Sequence, residues 1–253
     1  MSTRGGKVAL LGVVVAGFAF LYLPLVVLVV FSFNASKLVS VWGGWSAKWY
    51  LELFRNEQIL DAAWLSLKIA MINATGATLL GTMAGLALAR FGRFGGRTLF
   101  TGLIAAPLVM PDVIIGISLL LTFVSMEQFI GWPHGRGIDT ILIAHITFST
   151  AYVAIVVQSR ASGLDRSIEE AALDLGARPM TAFLLVTLPM LAPALASGWL
   201  LAFTLSLDDL VIASFVSGPG SSTLPMVIFS KVRLGVTPEI NALATLLIGA
   251  VAL

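Results

Sequence analysis

The chain of 253 residues contains no cysteine, only two histidines and few charged side chains, which make up 11% of the sequence. The absence of cysteine excludes disulfide bonds and thiolate metal sites, although it does not fix the cellular compartment. The shortage of charge excludes a soluble globule, because a chain with 58% hydrophobic residues has too little polar surface to cover one. We therefore expect a protein that lies in a lipid bilayer.

Six apolar stretches follow one another along the sequence. They cover residues 8–33, 62–89, 98–125, 138–158, 191–216 and 240–253. The first five reach the about 20 residues that a helix needs to cross the hydrocarbon core. The sixth has 14 residues and stops in mid-pattern, so either the natural chain continues past Leu253 or the last span is short, and we favour the first. The prediction is an all-α, polytopic membrane protein with six transmembrane helices in a single domain, residues 1–253.

Basic residues near the predicted helix ends indicate the orientation in the membrane. Arg4 and Lys7 precede the first stretch, which is too long for a signal peptide and has no cleavage site after it, so we expect a retained first helix. Arginines also fill residues 90–97, which carry no acid, and three more lie in the polar segment 159–189. Because all three segments fall on one side, that side is predicted to be cytoplasmic, and with it the N-terminus.

The polar segment 159–189 has the composition of two short helices separated by a break. A hydroxyl followed three residues later by the carboxylate of Glu170 makes a capping box, which predicts a helix from about Ile168. Gly176 predicts the end of this helix, and Pro179 predicts the start of a second short helical segment. The local chemistry fits either an ordinary loop between spans or a docking surface for another protein.

Three aspartates lie inside apolar stretches. Asp112 is near the middle of the third stretch, Asp208 and Asp209 are in the outer half of the fifth, and Ser206 adds a hydroxyl nearby. An aspartate at a helix centre costs about 2.5–3.5 kcal/mol, so these side chains must face protein or water. On a continuous helix Asp208 and Asp209 would point about 100° apart, so at most one faces a central pathway. Each aspartate is either a structural acid, hydrogen-bonded or protonated, or part of a pathway for cations.

Aromatic and other polar residues give weaker signals. Residues 37–61 mix tryptophans with charges, as a helix at the membrane surface does. These rings form an aromatic belt, or else Trp49 faces a cationic substrate with its π face. On the fourth stretch a polar stripe that includes His145 fits helix packing at least as well as substrate contact. Gly81 and Gly85 predict a packing seam between helices.

A resemblance decides how the polar segment is interpreted. Glu170-Ala171-Ala172, then Gly176, then Val186-Thr187-Leu188-Pro189 resembles the EAA motif of bacterial ABC-importer permeases, with valine where isoleucine is commoner. The resemblance implies a coupling helix that inserts in a cleft of a cytoplasmic ATP-binding subunit. The coupling residues would be Glu169, Glu170, Ala171, Ala172 and Gly176.

No phosphate-binding G-x-x-x-x-G-K-[ST] motif occurs in the sequence. We therefore expect that this chain is not an enzyme and carries neither a cofactor nor a metal site. ATP and magnesium are expected on the partner ATPase.

Motifs from the first stretch to the last residue are similar to the polyamine-importer permeases, above all to the second membrane subunit of putrescine importers. They include Ser32-Phe33-Asn34, Lys48-Trp49-Tyr50, Pro111-Asp112 and Thr204-Leu205-Ser206-Leu207-Asp208-Asp209. The resemblance implies a multi-pass protein of the bacterial inner membrane that imports a polyamine, with putrescine expected. The residues implied in polyamine passage are Trp49, Asp112, Ser206, Asp208 and Asp209.

The same resemblance implies the partners. They are a second, homologous permease subunit that completes a heterodimer, two copies of an ATP-binding subunit, a periplasmic polyamine-binding protein and membrane lipid, with no nucleic acid. Carboxylates in the pathway favour a cation and argue against sulfate, phosphate or molybdate. The alternatives are a permease for spermidine, iron or thiamine, a proton-driven cation transporter with the aspartates as a proton relay, and a non-transporting scaffold.

Overall fold

The computed structural model describes residues 4–38, 41–235 and 237–252. Within these ranges the regular secondary structure is helical, apart from an isolated antiparallel bridge between Asn34 and Trp45. The helices are α1 (Arg4–Ser32), α2 (Lys48–Leu53), α3 (Glu57–Arg90), α4 (Arg97–Val109), α5 (Asp112–Ile130), α6 (Ile138–Ser162), α7 (Arg166–Asp174), α8 (Pro179–Ala182), α9 (Leu188–Leu207), α10 (Val211–Val216), α11 (Leu224–Leu234) and α12 (Pro238–Ala252), with a π-helical turn (Phe183–Thr187) between α8 and α9.

Five helical segments of the described chain are long and apolar enough to cross a membrane. They are Gly6–Ser32, Glu57–Arg90, Asp112–Ile130, Ile138–Ser162 and Pro179–Leu207. Helices α1, α3 and α6 confirm the first, second and fourth predicted spans. Helix α12 lies where the sixth span was predicted, and it is shorter than these five segments.

The third predicted span was wrong as a single helix. Helix α4 ends at Val109, and α5 begins at Asp112. Met110 and Pro111 between them have extended backbones, with ψ of 137° and 138°. Proline has no N–H to donate and disfavours the helical conformation of the residue before it, which explains the break. Asp112 therefore begins a helix and does not lie in the middle of one.

The fifth predicted span, residues 191–216, was also wrong as a continuous helix. Helix α9 ends at Leu207 and α10 begins at Val211, so Asp208 and Asp209 lie in the break. The angle of about 100° expected between neighbours on a helix therefore does not describe this pair. Aspartate side chains compete with helical hydrogen bonds by bonding nearby backbone groups, and Asp209 does so here.

The contacts group the helices into two compact units, Met1–Asp61 with Val227–Leu253, and Ala62–Met226. In the second unit α6 is central, because α4, α5, α9 and α10 all pack on it. A Cβ atom added to Gly85 of α3 would lie 2.5 Å from the carbonyl oxygen of Ala154 on α6. Gly81 meets Val153 of α6 in the same way, which confirms the predicted packing seam.

In the first unit α12 packs on α1 and on α2. The surface helix considered for residues 37–61 does not extend over the described part of this segment, where Lys48–Leu53 is helical and α3 begins at Glu57. The buried Asn34 orders the connection between α1 and α2. Its side-chain amide nitrogen donates to Val41 O at 2.8 Å, and its side-chain oxygen accepts from Gly43 N at 2.8 Å. Side-chain bonds to the backbone replace helical hydrogen bonds here.

Candidate functional site

The polar side chains at the break between α9 and α10 differ in their exposure. Ser206, in the last turn of α9, is buried, while the next acid, Asp208, is exposed and Asp209 is partly covered. The two aspartates are neighbours in the chain, and their surroundings nevertheless differ. The cause is α6, which covers one of them.

His145 of α6 connects this break to the core. It is 2% exposed, with Nδ1 2.8 Å from Ser206 Oγ and Nε2 3.1 Å from Asp209 Oδ2. The backbone N–H groups of Ile212 and Ala213 also donate to Asp209. The sequence indicates that His145 belongs to a polar stripe, but the acid it contacts is 64 residues away, and no local pattern reports such a pairing.

Asp112 lies in the same region as Asp208. Helix α5 packs on α10, where a Cβ atom on Gly116 would lie 2.5 Å from the Phe215 ring. Asp112 is exposed at the first residue of α5, where its charge suits the helix dipole. Asp208 is near enough to Asp112 for the two charges to repel each other. The structure thus gathers Asp112, Ser206, Asp208 and Asp209 at two helix breaks.

Trp49 lies in the other compact unit and has a structural contact there. Its ring is 4% exposed, and its Nε1 donates to Asn34 O at 2.6 Å. The Lys48 ammonium already lies 4.5 Å from the ring centroid. This geometry anchors the segment after α1, and the role of Trp49 in polyamine passage stays a prediction.

Helix α7 lies in the polar segment, as predicted, but its cap differs. The helix begins at Arg166 and its cap is Asp165, whose side chain accepts from Ser167 N at 2.9 Å. The predicted capping box, with a helix start at about Ile168, was therefore wrong by two residues. The backbone N–H of Ser167 holds the pKa of Asp165 below its ordinary value.

The end of α7 confirms the predicted role of Gly176 as a helix terminator. Gly176 has a φ of +89°, and its N–H donates to Leu173 O while the N–H of Ala177 donates to Ala172 O. This Schellman arrangement requires a residue without a Cβ penalty in the left-handed region. Pro179 starts α8 as predicted. The chain then passes through the π-helical turn that ends just before α9.

The two glutamates of α7 face different surroundings. Glu169 Oε2 lies 3.6 Å from Arg90 Nη2 at the end of α3, whereas Glu170 is exposed. Both line a cavity of about 240 Å³ together with Arg90, Arg166 and Leu173. Glu169 thus ties the segment to its own chain, and Glu170 is open to a partner.

Two apolar side chains beside α7 were not singled out from the sequence. Leu175 is 90% exposed and Met180 is 66% exposed. Ala171 is exposed as well and Ala172 is half-buried. Exposed apolar side chains around short ones are typical of a surface that a partner covers. The sequence signal that could have identified Leu175 and Met180 is their position next to the EAA motif.

Comparison with known proteins identifies the family. A model of the family described as "Binding-protein-dependent transport system inner membrane component" matches residues 77–253, more than half of the chain. The chain belongs to this family. It is thus a multi-pass permease subunit of the inner membrane, and its family is one of transport components rather than enzymes.

Two named permeases are similar to this chain. The putrescine transport system permease protein PotI of Escherichia coli K12 is 63% identical over 239 residues, which are 94% of this chain and 85% of PotI. The spermidine/putrescine transport system permease protein PotC of the same strain is 42% identical over 237 residues, 94% of this chain and 87% of PotC. Both similarities run through the spans and the EAA segment.

Solved structures support the same fold. A chain of a bacterial ABC transporter that imports the acidic polysaccharide alginate has a TM-score of 0.73 and 15% identity, and covers 100% of this chain and 94% of its own. The alginate transporter in complex with an alginate-bound periplasmic protein gives a TM-score of 0.73 at 18% identity, covering 97% of this chain and 89% of its own. At this identity the likeness shows the permease fold of ABC importers alone.

Proposed function

We propose that this permease is one of two membrane subunits of an ATP-driven importer of polyamines, with putrescine as its main substrate. The observation that carries the proposal is the 63% identity to PotI over 94% of the chain. The lower identity to PotC, 42%, favours putrescine over spermidine. Permeases for iron or thiamine are the alternatives within the family.

The exposed aspartates at the two helix breaks support a cationic substrate. An extended diammonium ion needs carboxylates for its two charged ends and an apolar wall for its methylenes. Asp112 and Asp208 are exposed at the breaks, with apolar side chains of α5 and α10 around them. A carboxylate attracts an ammonium group that comes close to it. A site of this kind recognises a passing cation and also releases it.

The energy for transport would enter through α7. The proposed partner is a cytoplasmic ATP-binding subunit, present in two copies, that holds ATP and magnesium and receives α7 in a cleft. Glu170, Ala171 and Leu175 face outward there, while the pair of Glu169 with Arg90 links α7 to α3. The chain also continues from α7 through α8 and the π-helical turn into α9, so movement of the ATPase would reach a membrane-spanning helix through the backbone itself. A homologous permease and a periplasmic polyamine-binding protein complete the proposed assembly.

Complementation tests the substrate. In Escherichia coli lacking PotI, expression of this chain should restore uptake of labelled putrescine, and unlabelled putrescine should compete better than spermidine. Asp208→Asn at an equal membrane level is the matched control and should lower uptake. A chain that co-purifies with the host ATPase and gives no putrescine uptake would contradict the proposed substrate.

The proposed orientation, with the N-terminus in the cytoplasm, has a direct test because the chain has no cysteine. Single substitutions Arg93→Cys and His134→Cys place thiols in the connections on opposite sides of the membrane. A membrane-impermeant maleimide added to intact spheroplasts should label the second and spare the first. The reverse pattern would contradict the orientation.

A further inference from the structure

We infer that His145 is a positioning residue of the pathway, which holds Asp209 against the first backbone N–H groups of α10 and leaves Asp208 to meet the cation. We call His145, Ser206 and Asp209 the clamp. The inference rests on the proposed function for the nature of the cation. The clamp itself is a property of this chain that is measurable without transport.

The imidazole of His145 has both of its nitrogens occupied. Nδ1 lies 2.8 Å from Ser206 Oγ, and Nε2 lies 3.1 Å from Asp209 Oδ2. A neutral ring satisfies both contacts when Nε2–H donates to the carboxylate and Nδ1 accepts from the serine hydroxyl. The ring is 2% exposed, so it contacts these groups and not a passing substrate. It joins the end of α9 to the break that follows it.

Asp209 is occupied by donors on both oxygens. Oδ2 accepts from Ala213 N at 2.7 Å as well as from His145, and Oδ1 accepts from Ile212 N at 3.3 Å. These are the first N–H groups of α10, which have no carbonyl partner within the helix. Inside an apolar span water is not available to satisfy them. Asp209 therefore stabilises the restart of the helix.

Helix α6 holds α10 at both ends. At the far end Thr140 Oγ1 donates to Val216 O at 2.6 Å, and at the near end His145 holds Asp209. The helix between them is packed, with Ile212 1% exposed and Ala213 0% exposed. Since Asp208 directly precedes Asp209, the clamp fixes the backbone from which Asp208 projects.

The two neighbouring carboxylates are therefore suited to different tasks. The Asp209 side chain is 11% exposed, and it would have to release its donors to bind an ammonium group. Asp208 is exposed and gives up no such contact with α10. It follows that position 209 requires an acceptor oxygen and that position 208 requires a negative charge.

Amide hydrogen exchange at residues 211–216 of the assembled importer tests the clamp. Asp209→Ala should speed exchange there by about tenfold or more, because the buried N–H groups of α10 lose their acceptor. His145→Ala should act in the same direction, because Asp209 loses the donor that holds it in place. Asp209→Asn keeps an acceptor and His145→Gln keeps a donor near Nε2, so both should stay near wild type. Asp208→Asn is the neighbouring control and should change nothing in α10. Unchanged exchange in Asp209→Ala and His145→Ala would overturn the clamp.

Uptake by the same complexes tests the division of tasks. Asp209→Asn should transport putrescine within about twofold of wild type, because asparagine caps helices as well as aspartate does. Asp208→Asn should raise the KM or lower uptake by about tenfold or more, because a charge-assisted contact is lost. His145→Ala should raise the KM per assembled complex, and His145→Gln should restore it. A purely structural defect would instead reduce the amount of complex and leave its KM unchanged.

Two results would overturn the inference. Loss of uptake in Asp209→Asn as large as in Asp208→Asn, with normal exchange in α10, would show that the charge of Asp209 meets the substrate. A wild-type KM in assembled His145→Ala would show that His145 positions nothing. If instead α10 responds as expected while Asp208→Asn transports normally, the proposed substrate site fails and the clamp stands.

Discussion

Asp165 and Asp209 both accept backbone N–H groups at the start of a helix, one in the polar segment 159–189 and one within a span, and their surroundings differ in kind. Asp165 accepts Ser167 N at 2.9 Å at the surface, where it caps α7. Asp209 accepts the N–H groups of Ile212 and Ala213 and is held by His145 of another helix. In water the remaining N–H groups of a helix start bond to solvent, while in an apolar span only protein can satisfy them.

This difference indicates that the segment around α7 moves as a rigid body. The segment around α7 satisfies its own ends through Asp165 and Gly176, so it keeps its shape when a partner pushes on it. The break at residues 208–210 depends on α6 for its geometry. We therefore expect substitutions at the first region to change coupling, and substitutions at the second to change stability and substrate recognition together.

The largest expected effect is in the polar segment 159–189. Glu170→Lys should abolish stimulation of the proposed ATPase partner by the binding protein, because the proposal places this exposed carboxylate against that partner and the substitution reverses its charge. Glu169→Gln should act mildly, because it loses only a partly exposed ion pair of 3.6 Å with Arg90, and such pairs contribute about 0–1 kcal/mol. ATPase assays on reconstituted complexes measure both. Normal stimulation in Glu170→Lys would contradict the role of α7.

A packing test in the membrane comes next. Gly85→Ala should destabilise the complex by about 1–3 kcal/mol, because the new Cβ would lie 2.5 Å from Ala154 O of α6. Gly17→Ala in α1 is the control, because nothing lies within 4 Å of a Cβ there, and alanine is the better helix former. Thermal unfolding of the purified complex gives the comparison. Equal transition temperatures for the two variants would contradict the seam between α3 and α6.

A substitution at Gly176 tests the backbone freedom of glycine in the polar segment 159–189, whereas Gly85 tests its small size. No atom lies within 4 Å of a Cβ at this position, but its φ is +89°, so Gly176→Ala should cost about 1 kcal/mol through the backbone alone. Gly176→Asn should cost less, because asparagine tolerates the left-handed region better. The cost should appear as faster amide exchange at the end of α7. Equal exchange in both variants and the wild type would contradict the assigned helix end.

The smallest effect is expected at Asp165. Its pKa is lowered by the Ser167 N–H, so its stabilisation of α7 is present above the ordinary aspartate pKa of about 3.9 and is lost as the pH falls through the lowered value. Exchange protection at the start of α7, corrected for the intrinsic rate, should be flat from neutral pH to about pH 5 and should fall below about pH 4. Asp165→Ala should reduce it slightly and destabilise the complex less than Asp209→Ala does. The reverse order would contradict the contrast between the two caps.

Most helices were predictable because their signals are local. Spans of the length of α1, α3 and α6 follow from apolar runs. In the polar segment 159–189, Gly176 ends one helix and Pro179 begins the next, as glycine and proline usually do. The EAA residues were also recognised from their spacing. The break at Met110 has a local signal in Pro111, which the prediction of one continuous span did not use. The break at Asp208 has no such signal, because an apolar run indicates burial and says nothing about whether the helix in it is continuous.

The candidate site was predictable in its residues and not in their arrangement. Asp112, Ser206, Asp208 and Asp209 stand out because they are polar within apolar stretches. That Asp209 faces α6 while Asp208 stays exposed depends on the pairing with His145, 64 residues away. The contact of Trp49 with Asn34 and that of Glu169 with Arg90 are similarly tertiary. Local sequence carries no record of such contacts.

The measurement that tests the central claim most directly is putrescine uptake by proteoliposomes that contain the complete importer, with its binding protein outside and ATP trapped inside. We predict uptake that needs internal ATP, survives a protonophore, and falls sharply in Asp208→Asn while Asp209→Asn retains it. Uptake driven by an imposed proton gradient without ATP, or unaffected by Asp208→Asn, would contradict the account.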